Sequence, residues 1–510
     1  MAERQYILGI DSSTSSTKAI VWDLGGHVIA AGRGSISYEQ PRRGWAVQNA
    51  ESWWQSTTAA VQEALRSLDP AQILAVGLTW QRETIVPLDV NGKPLRDGIV
   101  WMDERGLDEV AEVRAAFGTS FCDLTGKPLD ITPSVFKIMW LKRHEPAEFA
   151  RTALFLDVGA YLTRRLTGRC RTCSAGADTM GLVDMAQRSW SSEILTFVGL
   201  RMDQLPELVE PGELLGTVSA EGSRATGLRE GTPVVAGGGD GQCSALGSGA
   251  LDAETYSMSL GTGLSLDVHL PRYLYDPAFR TLIGCVPRSY LAEVNTRSCS
   301  LLIQWFLREF MHIECQLSGL MSVRTEELLD LSIGRLSAGS DGLLTLPYWR
   351  GVMMPRNNPM VRGMTLGWSD YHTKAHFYRS LLEGLAFEFR QRLEAVEQVL
   401  NQPCSRIQIG AGGSQSAVWC QIISDVTHKT LGISESPETT SLGSAMLAAT
   451  ASGAFSSLEE AVRAMHRTVE TVSPIERNSR VYDAIYGRVY VHLLPLLEEY
   501  MVTLREITVQ

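Results

Sequence analysis

The chain opens its pattern twice. Tyr6-Ile7-Leu8-Gly9-Ile10-Asp11 is a short apolar run ending in a carboxylate; it passes through the hydroxyl-rich Ser12–Lys18 and leaves as Ala19-Ile20-Val21-Trp22-Asp23. Near mid-chain, Thr255-Tyr256-Ser257-Met258-Ser259-Leu260 enters Gly261-Thr262-Gly263 and leaves as Leu264-Ser265-Leu266-Asp267-Val268. Each stretch reads as a strand, a tight polar turn and a second strand. A chain that builds the same hairpin twice is expected to carry an internal duplication, two α/β units facing a cleft. At 510 residues it is too long for one ordinary core, and the break is placed just after Gly247, giving domains 1–248 and 249–510.

Between the two starts lies Thr232–Gln242, where Val234-Val235 run into Gly237-Gly238-Gly239 and deliver one carboxylate, Asp240. Glycines there permit close approach of backbone and ligand, and a lone acid at a strand end suits a general base for a hydroxyl. Read alone, the same residues also fit a turn in which the aspartate bonds its own backbone. Other strand ends carry ionisable groups in the same manner. Ile73–Thr79 leads to Trp80-Gln81-Arg82-Glu83-Thr84, and Ile99-Val100 leads to Trp101-Met102-Asp103-Glu104-Arg105. In α/β folds ligands bind at such ends; Arg82 and Glu83 would either grip a polar substrate or pair with each other at the sheet rim. Ser405–Ile409 is a further strand, ending in Gly410–Ser414 before a helix near Ser416, an arrangement able to seat a nucleotide. The hydroxyls of Ser12–Thr17 with Lys18 can donate to phosphate oxygens, or form a solvated turn. Leu442–Ala449 supplies small residues for close helix packing.

Composition removes several function classes. A net charge of −11 argues against nucleic acid or an anionic membrane as partner. Nine scattered cysteines and an N-terminus that runs straight into a strand read as reduced, cytoplasmic thiols. Cys170 and Cys173 have zinc-knuckle spacing without a second pair to complete a site. Gly126-Lys127 is followed by Pro128, so no phosphate loop of the Gly-x-x-x-x-Gly-Lys-Ser/Thr type is present.

Taken together, Asp11–Lys18, Gly239-Asp240, Gly261-Thr262-Gly263 and Gly410–Gly413 resemble the FGGY family of carbohydrate kinases, in order and spacing, over essentially the whole chain. Lys137–Leu141 is similar to the core of one family signature, and Gly363–Gly367 with His376–Glu383 to the other. Ser13 stands where the family usually has glycine, and Thr132, Thr365 and Trp368 depart from the signatures. The resemblance implies two actin-like, ribonuclease H-like domains closing on an interdomain cleft. It implies ATP on the second domain, with Gly412 and Gly413 near the nucleoside and Gly261 and Thr262 near the phosphates. Asp11 would act on Mg²⁺ through its waters, Thr14, Ser15 and Lys18 would hold the transferred phosphoryl group, and Asp240 would take the proton of the attacking hydroxyl. Gln81, Arg82 and Glu83, with Gln242, look like the substrate clamp of members that phosphorylate glycerol. Trp101 and Asp103, with the glycine-rich setting of Asp240, look more like members that phosphorylate xylulose. The expected acceptor is therefore a small sugar or polyol, a ketopentose such as xylulose first and glycerol or another polyol second, in a homodimeric enzyme. A non-catalytic actin-like sugar or nucleotide sensor would share this fold without needing Asp240 beside Arg82 and Glu83.

Overall fold

Apolar strands with glycine or polar ends assemble into two main sheets. The computed structural model describes residues 5–508 apart from 261–263, 297, 298, 322, 324, 354–357, 359 and 411. The first sheet contains β1 (Tyr6–Ser12), β2 (Ser16–Asp23), β3 (Val28–Ser35), β4 (Ile73–Trp80), β5 (Leu214–Thr217) and β6 (Pro233–Gly239), in the order β5-β6-β4-β1-β2-β3. β1, β2 and β3 form an antiparallel meander, β4 and β6 run parallel to β1, and β5 closes the edge antiparallel. Leu8, Ile10, Val76 and Leu78 are fully buried, each contributing about 1.5–3 kcal/mol through removal from water.

The second sheet repeats the plan with β7 (Thr255–Leu260), β8 (Leu264–Leu270), β9 (Arg280–Ile283), β10 (Tyr290–Thr296), β11 (Arg406–Gly410), β12 (Thr430–Ser434) and β13 (Thr468–Val472), ordered β9-β10-β8-β7-β11-β12-β13. The meander is β7-β8-β10, the parallel pair is β11 and β12, and β13 is the antiparallel edge; β9 is an addition beyond the meander. The repeated start in the sequence is thus repeated in topology. Helix α1 (Ala50–Ala64) covers the first meander, with Trp53, Val61 and Ala64 buried as their spacing predicts.

The two halves exchange helices. α2 (Asp240–Gly247) follows β6 of the first sheet, yet Ser248 just past its end bonds Ser257 of β7 across 2.9 Å. α3 (Thr439–Ala451) belongs by sequence to the second half but lies on the first sheet. Its Ser441 hydroxyl donates to the Gly9 carbonyl (3.2 Å) and accepts from the Trp22 indole (3.1 Å), and Ser444 donates to the Gly77 carbonyl (3.4 Å). The helices cross where glycines remove side-chain bulk: a Cβ on Gly247 would stand 1.9 Å from the Thr439 carbonyl oxygen, and one on Gly443 would stand 2.0 Å from that of Cys243. The small-residue run Leu442–Ala449 is the packing surface its composition suggests.

Candidate active site

Strand register brings three chain exits to one edge. Ser12 of β1 and Gly239 of β6 both lie level with Trp80 of β4. The turn after Asp11, the segment Gln81–Thr84 and the start of α2 at Asp240 therefore leave neighbouring strands side by side. This is the edge at which α/β sheets bind ligands.

The turn is tighter than the hydroxyl run suggests. Asp11 pairs with Lys18 and Ser12 with Thr17 across the hairpin, and the Ser13 N–H and hydroxyl both donate to the Ser16 carbonyl (3.0 and 2.8 Å). Ser15 is exposed and Thr14 half-buried. The Thr14 hydroxyl accepts from the Trp101 indole (3.0 Å) and its carbonyl from Gln48 (2.6 Å), fastening the turn to the rest of the site. Lys18 Nζ contacts both oxygens of Glu438, each at 2.7 Å, at the start of α3. Asp11 Oδ1 is buried without a hydrogen-bond partner. Burial, then the nearby charge of Asp240, push the Asp11 carboxyl up to about 7, opposed by Lys18. The turn and Asp240 leave the same sheet edge, near enough for the Asp240 charge to act on Asp11.

Asp240 is the open end of a charged relay. Its Oδ1 meets Arg82 Nε at 3.0 Å and accepts its neighbour Gly241 N–H at 2.8 Å. Arg82 Nη2 meets Glu293 Oε1 at 2.9 Å, Arg280 bonds Glu293 Oε2, and Arg280 Nη1 meets Glu83 Oε1 at 2.7 Å. The Asp240 side chain is 39% exposed, against 10% for Arg82, 11% for Arg280, 6% for Glu83 and 0% for Glu293, so the relay reaches solvent mainly at the aspartate. Burial alone would raise Glu293, but Arg280 and Arg82 together bring it down to about 2. For Glu83 burial prevails over Arg280 and Arg82, and its carboxyl is raised.

Arg82 and Glu83 do not pair with each other; each has a partner from a distant segment. Two local features permit this. A Cβ on Gly239 would stand 2.4 Å from Arg82 Cδ, and one on Gly241 3.0 Å from Arg82 Nη2, so the glycines beside Asp240 make room for the Arg82 side chain. Glu83 holds φ at 57°, costly for a residue with a side chain, and its carbonyl accepts from Ser134 at 2.9 Å.

The remaining sequence candidates separate. Gln81 is buried in a chain of amides and hydroxyls, donating to Gln48 (2.9 Å) and accepting from Thr84 (3.2 Å). Gln242 is fully buried; it accepts from Arg82 (3.2 Å) and donates to Asp178 (3.4 Å), so it reaches the gap through Arg82. Trp101 is half-exposed beside Thr14. Asp103 differs from the expectation of a substrate contact. It is fully buried, and its two oxygens accept from Arg105 Nε and Nη2 (both 2.7 Å), the Arg105 N–H (3.0 Å) and the Ala46 N–H (2.6 Å). Those four bonds use the acceptor sites a carboxylate has. Arg105 in turn lies 4.0 Å over the Trp45 ring and 4.9 Å from Trp140, which makes Asp103 a packing anchor.

On the second sheet, Ser259 of β7 is level with Gly410 of β11, so both strands end at one edge. Gly412 stands in open space, while a Cβ on Gly413 would stand 2.6 Å from that of Leu260. Gly261 and Thr262 lie outside the described residues. The helix expected near Ser416 runs Ala417–Thr427 with Ser416 as its N-cap.

Sequence motifs missed Arg280, Glu293 and Glu438, and also Asp178, which accepts from Lys127 (3.1 Å), Gln242 and the Ile283 N–H (3.0 Å). The available signal was an ionisable residue inside an apolar strand, as in Leu291-Ala292-Glu293-Val294.

The comparisons with known proteins fall on this architecture. Residues 6–247 match the N-terminal domain, and residues 256–452 the C-terminal domain, of the FGGY family of carbohydrate kinases. The chain belongs to that family. As an FGGY carbohydrate kinase it is a transferase, of a family that takes phosphate from ATP and gives it to a small sugar. It is 29% identical over 496 residues to a xylulose kinase of Bacillus subtilis, covering 96% of this chain and 97% of that one. It is 27% identical over 519 residues to an autoinducer-2 kinase of Yersinia enterocolitica, covering 98% and 96%. The crystal structure of a xylulose kinase from Rhodospirillum rubrum superposes with a TM-score of 0.85 at 27% identity, covering 98% of this chain and all of that one. These neighbours share the two-domain actin-like fold. No helix among the described residues is long and apolar enough to cross a membrane.

Proposed function

We propose that this kinase transfers the γ-phosphoryl group of ATP to a hydroxyl of a ketopentose, xylulose being the first candidate, with Asp240 as general base. The observation that carries the reading is the position of Asp240: the solvent-facing end of a buried relay, sharing a gap with Asp11. Both protein contacts fall on Oδ1, which leaves Oδ2 for the acceptor hydroxyl. Arg82 keeps the carboxylate ionised and oriented until it takes the proton, while Glu83 and Trp101 line the acceptor side and Gln81 and Gln242 hold their neighbours in place. Thr14, Ser15 and Lys18 contact the migrating phosphoryl group, for which Lys18 exchanges part of its bond to Glu438. Gly412 and Gly413 leave room for the nucleoside, and Gly261 and Thr262 belong to the phosphate end.

Phosphoryl transfer is chiefly positioning and charge neutralisation. Asp11, with a buried oxygen lacking any partner, fits a divalent cation such as Mg²⁺. No cluster of three or more His, Cys, Asp or Glu suited to a metal occurs among the described residues. A single carboxylate is what Mg²⁺ bound through waters and phosphates requires, and bound there it would neutralise phosphate charge. Units 1–248 and 249–510 closing on each other exclude water as a competing acceptor. Nine cysteines scattered along the chain fit a reducing cytoplasm, and a homodimer is the assembly expected from the family.

A second acceptor class has its own support. The resemblance of Gln81–Thr84, with Gln242, to a glycerol clamp makes a short polyol such as glycerol the alternative, and the Yersinia relative adds autoinducer-2. A panel of ketopentoses, pentitols, erythritol, glycerol and autoinducer-2 with coupled ADP detection separates them. Asp240→Asn is expected to retain ATP and acceptor binding and to lose about 10²- to 10⁴-fold in turnover. Near-normal turnover in that variant refutes the base assignment.

A further inference from the structure

The acceptor end of the site is walled by side chains from the second sheet. Register places Glu293 of β10 opposite Asp267 of β8 and opposite Arg280 of β9, so three adjacent strands present a row of ionisable groups. Glu293 is fully buried and holds Arg82 on one oxygen and Arg280 on the other, with Asn295 donating at 2.8 Å. Both Asp267 oxygens are buried without partners, and burial, then the Glu293 charge, push that carboxyl well above its ordinary range. Each guanidinium is therefore spanned by two carboxylates: Arg82 by Asp240 and Glu293, Arg280 by Glu293 and Glu83. The nearby ammoniums are also occupied, Lys127 by Asp178 and Lys137 by the carbonyls of Ile131 and Thr132.

Two buried arginines at an acceptor site would ordinarily recruit a carboxylate, because guanidinium binds it bidentately. Here that capacity is already spent within the protein. A sugar acid entering the site would bring a further negative charge against Asp240, Glu293 and Glu83 in a weakly screened interior. We propose that Glu293 and Arg280 are specificity-determining residues, and that Glu293, by compensating Arg82 and Arg280 together, restricts the acceptor to a neutral polyhydroxylated chain and excludes the sugar acid of the same length. The inference rests on the reading of the Asp240 gap as the acceptor site.

The test compares full-length wild type, Glu293→Gln and Arg280→Gln on xylulose, xylitol and glycerol against xylonate, reading kcat/KM for each by ADP release. Wild type is expected to prefer its best neutral acceptor over xylonate by at least roughly 100-fold. Glu293→Gln, which frees guanidinium charge, should narrow that ratio roughly tenfold or more through a lower KM for xylonate; Arg280→Gln should widen it. A merely structural role scales all acceptors alike and leaves the ratio fixed, and that result in both variants overturns the proposal while the kinase reading stands. Equal use of xylonate by wild type also overturns it. If wild type phosphorylates neither class, the assignment of the acceptor site itself falls. Should Glu293→Gln not fold, the direction of the Arg280→Gln shift decides.

Discussion

The crossing of α2 and α3 offers a sharp physical test in Gly247→Ala. The added Cβ would lie 1.9 Å from the Thr439 carbonyl oxygen and 2.7 Å from the Gly443 nitrogen, both backbone atoms of a packed helix. Ordinary carbon–oxygen contact begins near about 3.5 Å, so the helices must part by on the order of 1.5 Å or α2 must rotate. Overpacking of this kind costs about 1–3 kcal/mol, and a backbone obstacle favours the upper end. Alanine returns up to about 1 kcal/mol in helix propensity. The net loss of about 2 kcal/mol corresponds to a melting temperature lower by roughly 2–4 °C when the two halves of so long a chain melt together. Asp240 begins the same helix, and a displacement near 1 Å at a reacting group can cost about 10²-fold in rate. Circular dichroism melting and steady-state kcat read both consequences. Gly487→Ala is the control, since nothing stands within 4 Å of its added carbon. A Gly247→Ala protein melting within about 1 °C of wild type with unchanged kcat refutes the close-crossing argument.

Two further outcomes test other parts of the structure. Asp103→Asn removes the charge opposite buried Arg105 and is expected to cost about 3–5 kcal/mol while leaving the acceptor KM unaltered; a KM rise without a lower melting temperature would return Asp103 to the acceptor site. Asp157 caps the helix Val158–Thr167, and burial pushes its carboxyl up to about 6, against the Ala160 N–H and Thr172 hydroxyl that favour the charged form. Its pKa being higher in the fold than in the unfolded chain, the native state binds more protons between about pH 4 and about pH 6, and stability falls as pH rises through that window. Asp157→Asn keeps the cap and should melt higher than wild type above pH 7, by on the order of 2–3 kcal/mol, and alike near pH 4. Parallel pH profiles for the two proteins would contradict this.

Much of the site was legible because its signals are local. A strand ending in Asp11, a hydroxyl turn closed by Lys18, and glycines leading to Asp240 each declare themselves within about ten residues. Strand ends at 80, 239 and 410 followed from apolar runs meeting glycine or charge. The charge relay was not legible, since Arg280 meets Glu83 across 197 residues of chain and sits in a strand whose register no pattern announces. In the sequence the glycines beside Asp240 suggest space for a ligand, whereas the group they admit is the Arg82 side chain. Asp103 looked like a site residue because an acid after a strand end is ambiguous until its partners are known. The small residues of Leu442–Ala449 pointed to tight packing, but not to which sheet would receive them.

The reciprocal helices also bear on what constitutes a unit of this protein. A fragment ending at residue 248 would carry β1, β4 and β6 with Gly9 and Gly77 facing solvent where Ser441 and Ser444 now lie. Its counterpart would carry α3 with an apolar face stripped of its floor. The two halves therefore resemble each other in plan, and each is expected to need the other's helix in order to fold. Splitting the gene there should yield pieces that regain structure only when expressed together.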